Sequence, residues 1–493
     1  MVHNKFKSKG FKVVALSCDS LQDATKWEKD ILAHFSSHIQ KIDFPIISDL
    51  SRQVAIKYGM IDPNLKDKFG LPLTSRTVFF IGPDKQLKSS MNYPATVGRD
   101  IYELLRVCDA LLLMERGSVA TPASWPENHS NLVVDGKNME GAVFLLPTVS
   151  EKTAKKFFPD RAELKMPSGL KYMCLAHVKP APPNCWAGFA RFATRILRPC
   201  GWNLQDAQNW YAEQPPVYST PSMARLISFR QQSEVQRPQP LSGTRADVEL
   251  YLQSTDTTLR LGDYVPDFQA NTTMGKLSFH QWIEGKWAIL FCHPAAFTPV
   301  CTTEVGTLAM FYNTFSSNGF RVATLSRDSI EDLVAWKRDI IAHFDNRIRI
   351  NFPMIADPSR EVAVKYGMVD PRLRDNFDVP SNRDVFVIGP DKRLKLSMNY
   401  HLTLGRSIHE LLRICDALQL SARESIATPA SWPNNHADLV VNSRVMKGSV
   451  FLLSTITDED ADNFFPDCVE LKMPSGGNYM RLTKIDREGR MPT

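Results

Sequence analysis

"KWAILFCHPAAFTPVC", residues 286–301, decides how the rest of the chain is read. Its first seven residues are a continuous apolar run of strand length, as expected of a strand buried on both faces. From Pro299 onward, Val305, Leu308, Ala309, Tyr312 and Phe315 recur at helical spacing. Thr298 is a good N-cap and Pro299 a good first helical residue, which puts Cys301 at the third helical position. A capping box would place a carboxylate there. Here the group is a thiol, at the positive end of the helix dipole beside backbone N–H groups without intrahelical partners. That setting favours the thiolate, the nucleophilic form. Position alone leaves an inert buried thiol equally open.

Downstream of this stretch the chain says most things twice, and internal repeats precede every other reading. "GFKVVALSCDSLQDATKWEKDILAHF" at 10–35 returns as "GFRVATLSRDSIEDLVAWKRDIIAHF" at 319–344. "IGPDKQLKSSMNY" at 81–93 returns at 388–400, "SVATPASWPENH" at 118–129 at 425–436, and "ELKMPSG" at 163–169 at 470–476. A repeat unit near 300 residues is a duplicated domain, not a solenoid. The second copy carries a further stretch upstream, 259–318, which includes the opening segment; the first copy starts past that point.

The expected domains are a truncated, inactive copy over 5–178, a Pro/Arg-rich linker over 179–255, a complete domain over 256–420 and a C-terminal arm over 421–488. Residues 179–245 hold eight Lys/Arg against three Asp/Glu. Within them "WAGFARFATRILRP" has the spacing of a short basic amphipathic helix, read here as part of a loose connector rather than a membrane anchor. In the complete copy the apolar patterns give β-α-β-α-β-β-β-α, a mixed sheet covered by helices, with Ser329 and Asp332 as a capping-box-like helix start. A thioredoxin-like α/β fold fits that order.

The totals exclude several classes. The net charge of +6 on 493 residues is too small to argue for nucleic acid. No window approaches 18 uninterrupted apolar residues, so no membrane span is expected. The N-terminus lacks the apolar core of a secretory signal. Nine cysteines without CxxC pairs or zinc-ligand spacing read as reduced thiols in a cytoplasmic protein.

"PAAFTPVC" matches the P-x-x-x-T-x-x-C signature of the peroxiredoxins, and "HPAAFTPVCTTE", "GPDKRLKLS" and "ATPASWP" resemble their one-cysteine class. The resemblance implies a thiol-dependent peroxidase that reduces hydrogen peroxide and organic hydroperoxides in antioxidant defence. It makes Cys301 the peroxidatic residue, which becomes a sulfenic acid. Pro294 shields it, Thr298 and Arg383 position and activate the peroxide, and His293 is an auxiliary site residue that could equally be a satisfied loop histidine. Magnitude requires such partners. A free thiol of pKa about 8.5 is roughly 3% ionised at pH 7, so full ionisation gains only about 30-fold. Charge on the departing oxygen needs fixed donors as well.

Two departures from the family pattern matter. The resolving Val-Cys-Pro of two-cysteine members is replaced by Ala427-Thr428-Pro429, so an external thiol, glutathione or a similar reductant, is expected to recycle the enzyme without any bound cofactor. The serine of the phospholipase stretch found in mammalian one-cysteine members is replaced by Lys286, with His280 and Asp391 at the other two positions, so lipase activity is not expected. The first copy keeps an arginine, Arg76, where the second has Arg383, but has no thiol for it to serve; Cys18 lacks the Thr-x-x-Cys setting. Because one-cysteine members pair as homodimers, the first copy is expected to dock on the second as an intramolecular pseudo-dimer, with an ordinary dimer as the other possibility. A non-enzymatic scaffold or holdase built from a degenerate pair is the competing function.

Overall fold

The computed structural model describes residues 2–177 and 259–484, except for short internal stretches, among them 128–132, 370–375, 377–380 and 435–439. The 179–255 linker with its amphipathic segment lies outside the described residues.

The Trp287–Cys292 strand is buried as its apolar run requires, and it lies between two neighbours. It pairs parallel with Phe320–Ser326 on one side and antiparallel with Arg383–Ile388 on the other. The order outward is Met354–Ala356, then a Gln269–Thr272/Gly275–Ser278 hairpin, which the sequence reading omitted. The Pro299–Met310 helix follows the central strand and is buried along nearly its whole length. The pattern seen as one helix through Phe315 breaks at Phe311, and a second helix, Tyr312–Ser317, continues from it. Ser329 caps Ile330–His343 by accepting from the Asp332 N–H and donating to its carboxylate, as expected. Ile408–Arg423 closes the unit with Ile408, Leu411, Cys415 and Leu418 inward.

The two copies share one sheet. On the far side of Arg383–Ile388 lies Leu394–Tyr400, and this strand pairs antiparallel with Leu87–Tyr93 of the first copy, Met398 facing Met91. Arg76–Ile81 ends the nine-strand run. Across this seam Tyr93 donates to Glu410 at 3.0 Å and Tyr400 to Glu103 at 3.2 Å, a reciprocal pair expected of a twofold relation. The two copies therefore meet within a single sheet.

Among the described residues no strand of the first copy corresponds to Trp287–Cys292. Its Ala15–Ser17 and Ile46–Ser48 strands pair only with each other. Side chains buried in the complete copy lie open here: Trp27 is 47% exposed where Trp336 is 0%, Tyr58 50% where Tyr366 is 2%, and Ile81 50% where Ile388 is 0%.

The arms cross over. Val119–Ala120, Ala142–Leu145, Ala162–Glu163 and Cys174–His177 form a small sheet in the first copy. Its apolar side, with Phe144 and Leu175, packs against Val300 of the second copy. Ser168 and Tyr172 hydrogen-bond Asp339, and in return Ser475 and Tyr479 of the second arm hydrogen-bond Asp30. The backbones meet so closely that a Cβ at Gly405 would lie 2.1 Å from the Pro122 oxygen, and one at Gly98 would lie 1.9 Å from the Pro429 oxygen.

Candidate active site

The Pro299–Met310 helix has Thr298 at its N-cap and Pro299 in its first turn, which puts Cys301 where the spacing predicted. Thr298 does not use its hydroxyl as a cap: Oγ1 donates to the Ala295 carbonyl at 2.9 Å and makes no side-chain bond to the first turn. That bond tightens the loop entering the helix, where Phe297 has a φ of 52°. The 3.6-residue repeat places Glu304 one turn after Cys301 on the same face.

Cys301 is fully buried, and its sulfur accepts from Arg383 Nη1 at 3.2 Å. Arg383 stands at the first position of its strand, adjacent to the central strand, with Nε donating to the Leu402 carbonyl at 2.6 Å. The same Nη1 donates to Glu304 at 2.7 Å. Glu304 also accepts from the Arg406 backbone N–H and from its Nε and Nη2, each at 2.8 Å. Arg406 Nη1 donates to the carbonyls of Cys292 and Asp384, and its guanidinium lies 3.4 Å from the Phe291 ring centre. Burial by itself would raise the Glu304 carboxyl, but the Arg406 and Arg383 charges outweigh it and hold the group below its usual range. A buried ionised carboxylate thus orients two cations, one of them directed at the sulfur.

Glu304 and Arg406 were not singled out from sequence. Their signals were present: the one charged residue of the Pro299–Met310 helix, three residues after the thiol, and an arginine repeated in "TVGRD" and "TLGRS".

Pro294 is buried in the loop between strand and helix. His293 is fully buried with its ring 5.0 Å from Trp336, and neither ring nitrogen has a hydrogen-bond partner. Desolvation lowers it to about 4, so it is neutral near pH 7. The structure brings Cys301, Arg383 and Thr298 into one turn-and-strand junction and places His293 and Pro294 in the adjoining loop. The first copy reaches this junction too: the Ala123 N–H donates to Thr303 Oγ1 at 3.1 Å, and Tyr172 meets Phe297 edge-on with ring centres 6.0 Å apart.

The three lipase-like positions are engaged elsewhere or open to solvent. His280 bonds the Val265 carbonyl and lies 4.0 Å from Asp267, Asp391 pairs with Lys395 in the hairpin turn, and Lys286 is exposed. Among the described residues no group of His, Cys, Asp or Glu has the disposition of a metal site.

The AhpC/TSA family model matches residues 1–90 and 261–397. The chain is similar to peroxiredoxin-6 of Gallus gallus, 44% identical over 229 residues that make up 46% of this chain and 97% of that protein. It is 43% identical to peroxiredoxin-6 of Homo sapiens with the same coverage. A solved structure of peroxiredoxin 6 from Arenicola marina, a cysteine-to-serine mutant, is 39% identical, covering 46% of this chain and 99% of its own, with a TM-score of 0.41.

Proposed function

Because this chain belongs to the AhpC/TSA family, as a tandem-duplicated peroxiredoxin of the one-cysteine, peroxiredoxin-6-like class and hence a thiol peroxidase, we propose that Cys301 is its peroxidatic residue, acting on hydrogen peroxide and organic hydroperoxides. The observation that carries this reading is the buried Arg383–Cys301 contact of 3.2 Å at the helix start. A fixed guanidinium there favours a negative sulfur, and its charge remains available to the peroxide oxygens as the O–O bond stretches.

The thiolate attacks one peroxide oxygen, an S–O bond forms and the O–O bond breaks. The distal oxygen leaves as water or an alcohol after taking up a proton, so sulfur loses two electrons and the peroxide gains them. The Cys301 sulfenic acid then condenses with an external thiol, releasing water and forming a mixed disulfide. A second external thiol attacks the sulfur of the bound external thiol, the two leave as their disulfide, and Cys301 returns as a thiol. Glutathione is the reductant we assign, because the resolving position is Ala427-Thr428-Pro429, and Cys292 and Cys415 are buried in a strand and a helix. Thr298 shapes the loop, Pro294 screens the thiol and His293 is a neutral neighbour. The seven described cysteines are all free, which fits a reducing cytoplasm. No described helix is long and apolar enough to cross a membrane.

Cys301→Ser should abolish peroxide consumption with glutathione as reductant, while Cys18→Ser and Cys108→Ser leave it nearly intact. One equivalent of peroxide without added thiol should give sulfenic acid at Cys301 by dimedone labelling and peptide mapping. Turnover by Cys301→Ser, or a quantitative disulfide from Cys301 to another cysteine of this chain, would overturn the assignment.

A further inference from the structure

The turn that holds Cys301 is gripped on two sides. Cys301 and Glu304 lie on the face of the Pro299–Met310 helix that meets Arg383 and Arg406. The first copy takes the other side, at residues 297, 300 and 303. Tyr172 meets Phe297 edge-on with ring centres 6.0 Å apart, Val300 joins the apolar cluster of Phe144, Met173 and Leu175, and the Ala123 N–H donates to Thr303 Oγ1 at 3.1 Å. Phe297 is the residue that most needs a neighbour. Its φ of 52° is an outlier for a bulky side chain, and such a backbone persists only where packing fixes it. Tyr172 has a second hold. Its hydroxyl donates to Asp339 at 3.0 Å, on the Ile330–His343 helix, and about one turn earlier on that helix Trp336 Nε1 donates to Thr302 Oγ1 at 2.9 Å. Thr302 in turn donates to the Thr298 carbonyl at 2.9 Å. One side chain therefore ties the loop before Cys301 to the helix that braces the residue after it.

We infer, resting on the peroxidase reading above, that Tyr172 from the arm of the first copy is a positioning residue for the peroxide step at Cys301, so that the site draws on both copies. The sulfur is fully buried and stands 3.2 Å from Arg383. A small peroxide needs that geometry fixed, because its barrier falls only where a donor is already aimed at the departing oxygen. The recycling thiol is larger and must touch the same buried sulfur, so it needs the turn loosened. Freeing Phe297 thus acts in opposite directions on the two half-reactions. A residue that only stabilised the fold would move both the same way.

The test is stopped-flow kinetics on the full chain, in which reduced protein is mixed with hydrogen peroxide and the sulfenic acid form is then mixed with glutathione. Tyr172→Ala removes ring and hydroxyl; it should slow oxidation about tenfold, the upper worth of an aromatic pair, and speed the glutathione step about threefold. Tyr172→Phe keeps the ring against Phe297, and Ser168 still bonds Asp339 through its N–H and hydroxyl, so this variant should recover most of the oxidation rate. Tyr172→Leu fills the same apolar cluster without an aromatic edge; it carries the expectation of Tyr172→Ala and replaces it if the alanine variant does not fold. Wild-type turnover with an unaltered oxidation rate in the Ala or Leu variant would overturn the inference alone, as would a variant slowed in both steps. Wild-type protein that consumes no peroxide would remove the peroxidase reading and this inference with it.

Discussion

Glu304→Gln keeps the volume of the side chain and removes one negative charge from between two buried cations. The glutamate oxygens accept four N–H donors, three from Arg406 and one from Arg383, with distances of 2.7–2.8 Å. Glutamine offers one acceptor oxygen, and its NH2 group turns donors toward donors. All three side chains are nearly inaccessible, at 0% for Glu304, 4% for Arg383 and 2% for Arg406. Removing one member of such a buried ionic group costs about 3–5 kcal/mol, because the remaining charge stays desolvated and unpaired. The kinetic effect follows from the shared Nη1 of Arg383, whose direction toward the sulfur Glu304 fixes. Losing a positioned donor at a reacting centre costs about 10²–10³ in rate. Urea unfolding of the full chain should show the transition of the complete copy shifted by that free energy, and stopped-flow peroxide reduction should slow by about two orders of magnitude. A Glu304→Gln protein with wild-type unfolding midpoint and wild-type rate would show that the carboxylate neither orients Arg383 nor carries charge.

Gly405→Ala should destabilise the crossed arm by about 1–3 kcal/mol or more, since the added Cβ meets backbone rather than a yielding side chain; a thermal shift assay reads it, and Gly98→Ala should act alike on the reciprocal arm. His293 gives a pH dependence. Its folded-state value is lowered to about 4 by burial, so the unfolded chain binds the proton first and stability falls as pH drops from about 6.5 through 4. The full effect is about 3 kcal/mol below pH 4. His293→Gln should lose that part of the slope in unfolding curves at pH 7 and 4.5, and an unchanged slope would contradict a buried neutral ring.

The opening segment carried the fold because each local signal agreed with its neighbours: an apolar run for a central strand, a Thr-Pro start for a helix, and a thiol at the third position. Arg383 was legible through its repeated place before a strand. Glu304 and Arg406 escaped because their meaning is a pairing across 102 residues, which no local pattern reports. Thr298 illustrates the opposite case: the residue type was right for a cap, yet the loop offered its hydroxyl a carbonyl instead. The crossed arms were invisible for a related reason. Ser168 and Ser475 occupy equivalent places in the repeats, and nothing in either repeat says that its arm belongs over the other copy.

Joining the halves through Met91 and Met398 within one polypeptide changes how the assembly responds to concentration. A homodimer of separate chains comes apart on dilution, whereas here the facing strands meet at an effective concentration set by the chain itself. Catalysis per molecule should therefore be insensitive to dilution.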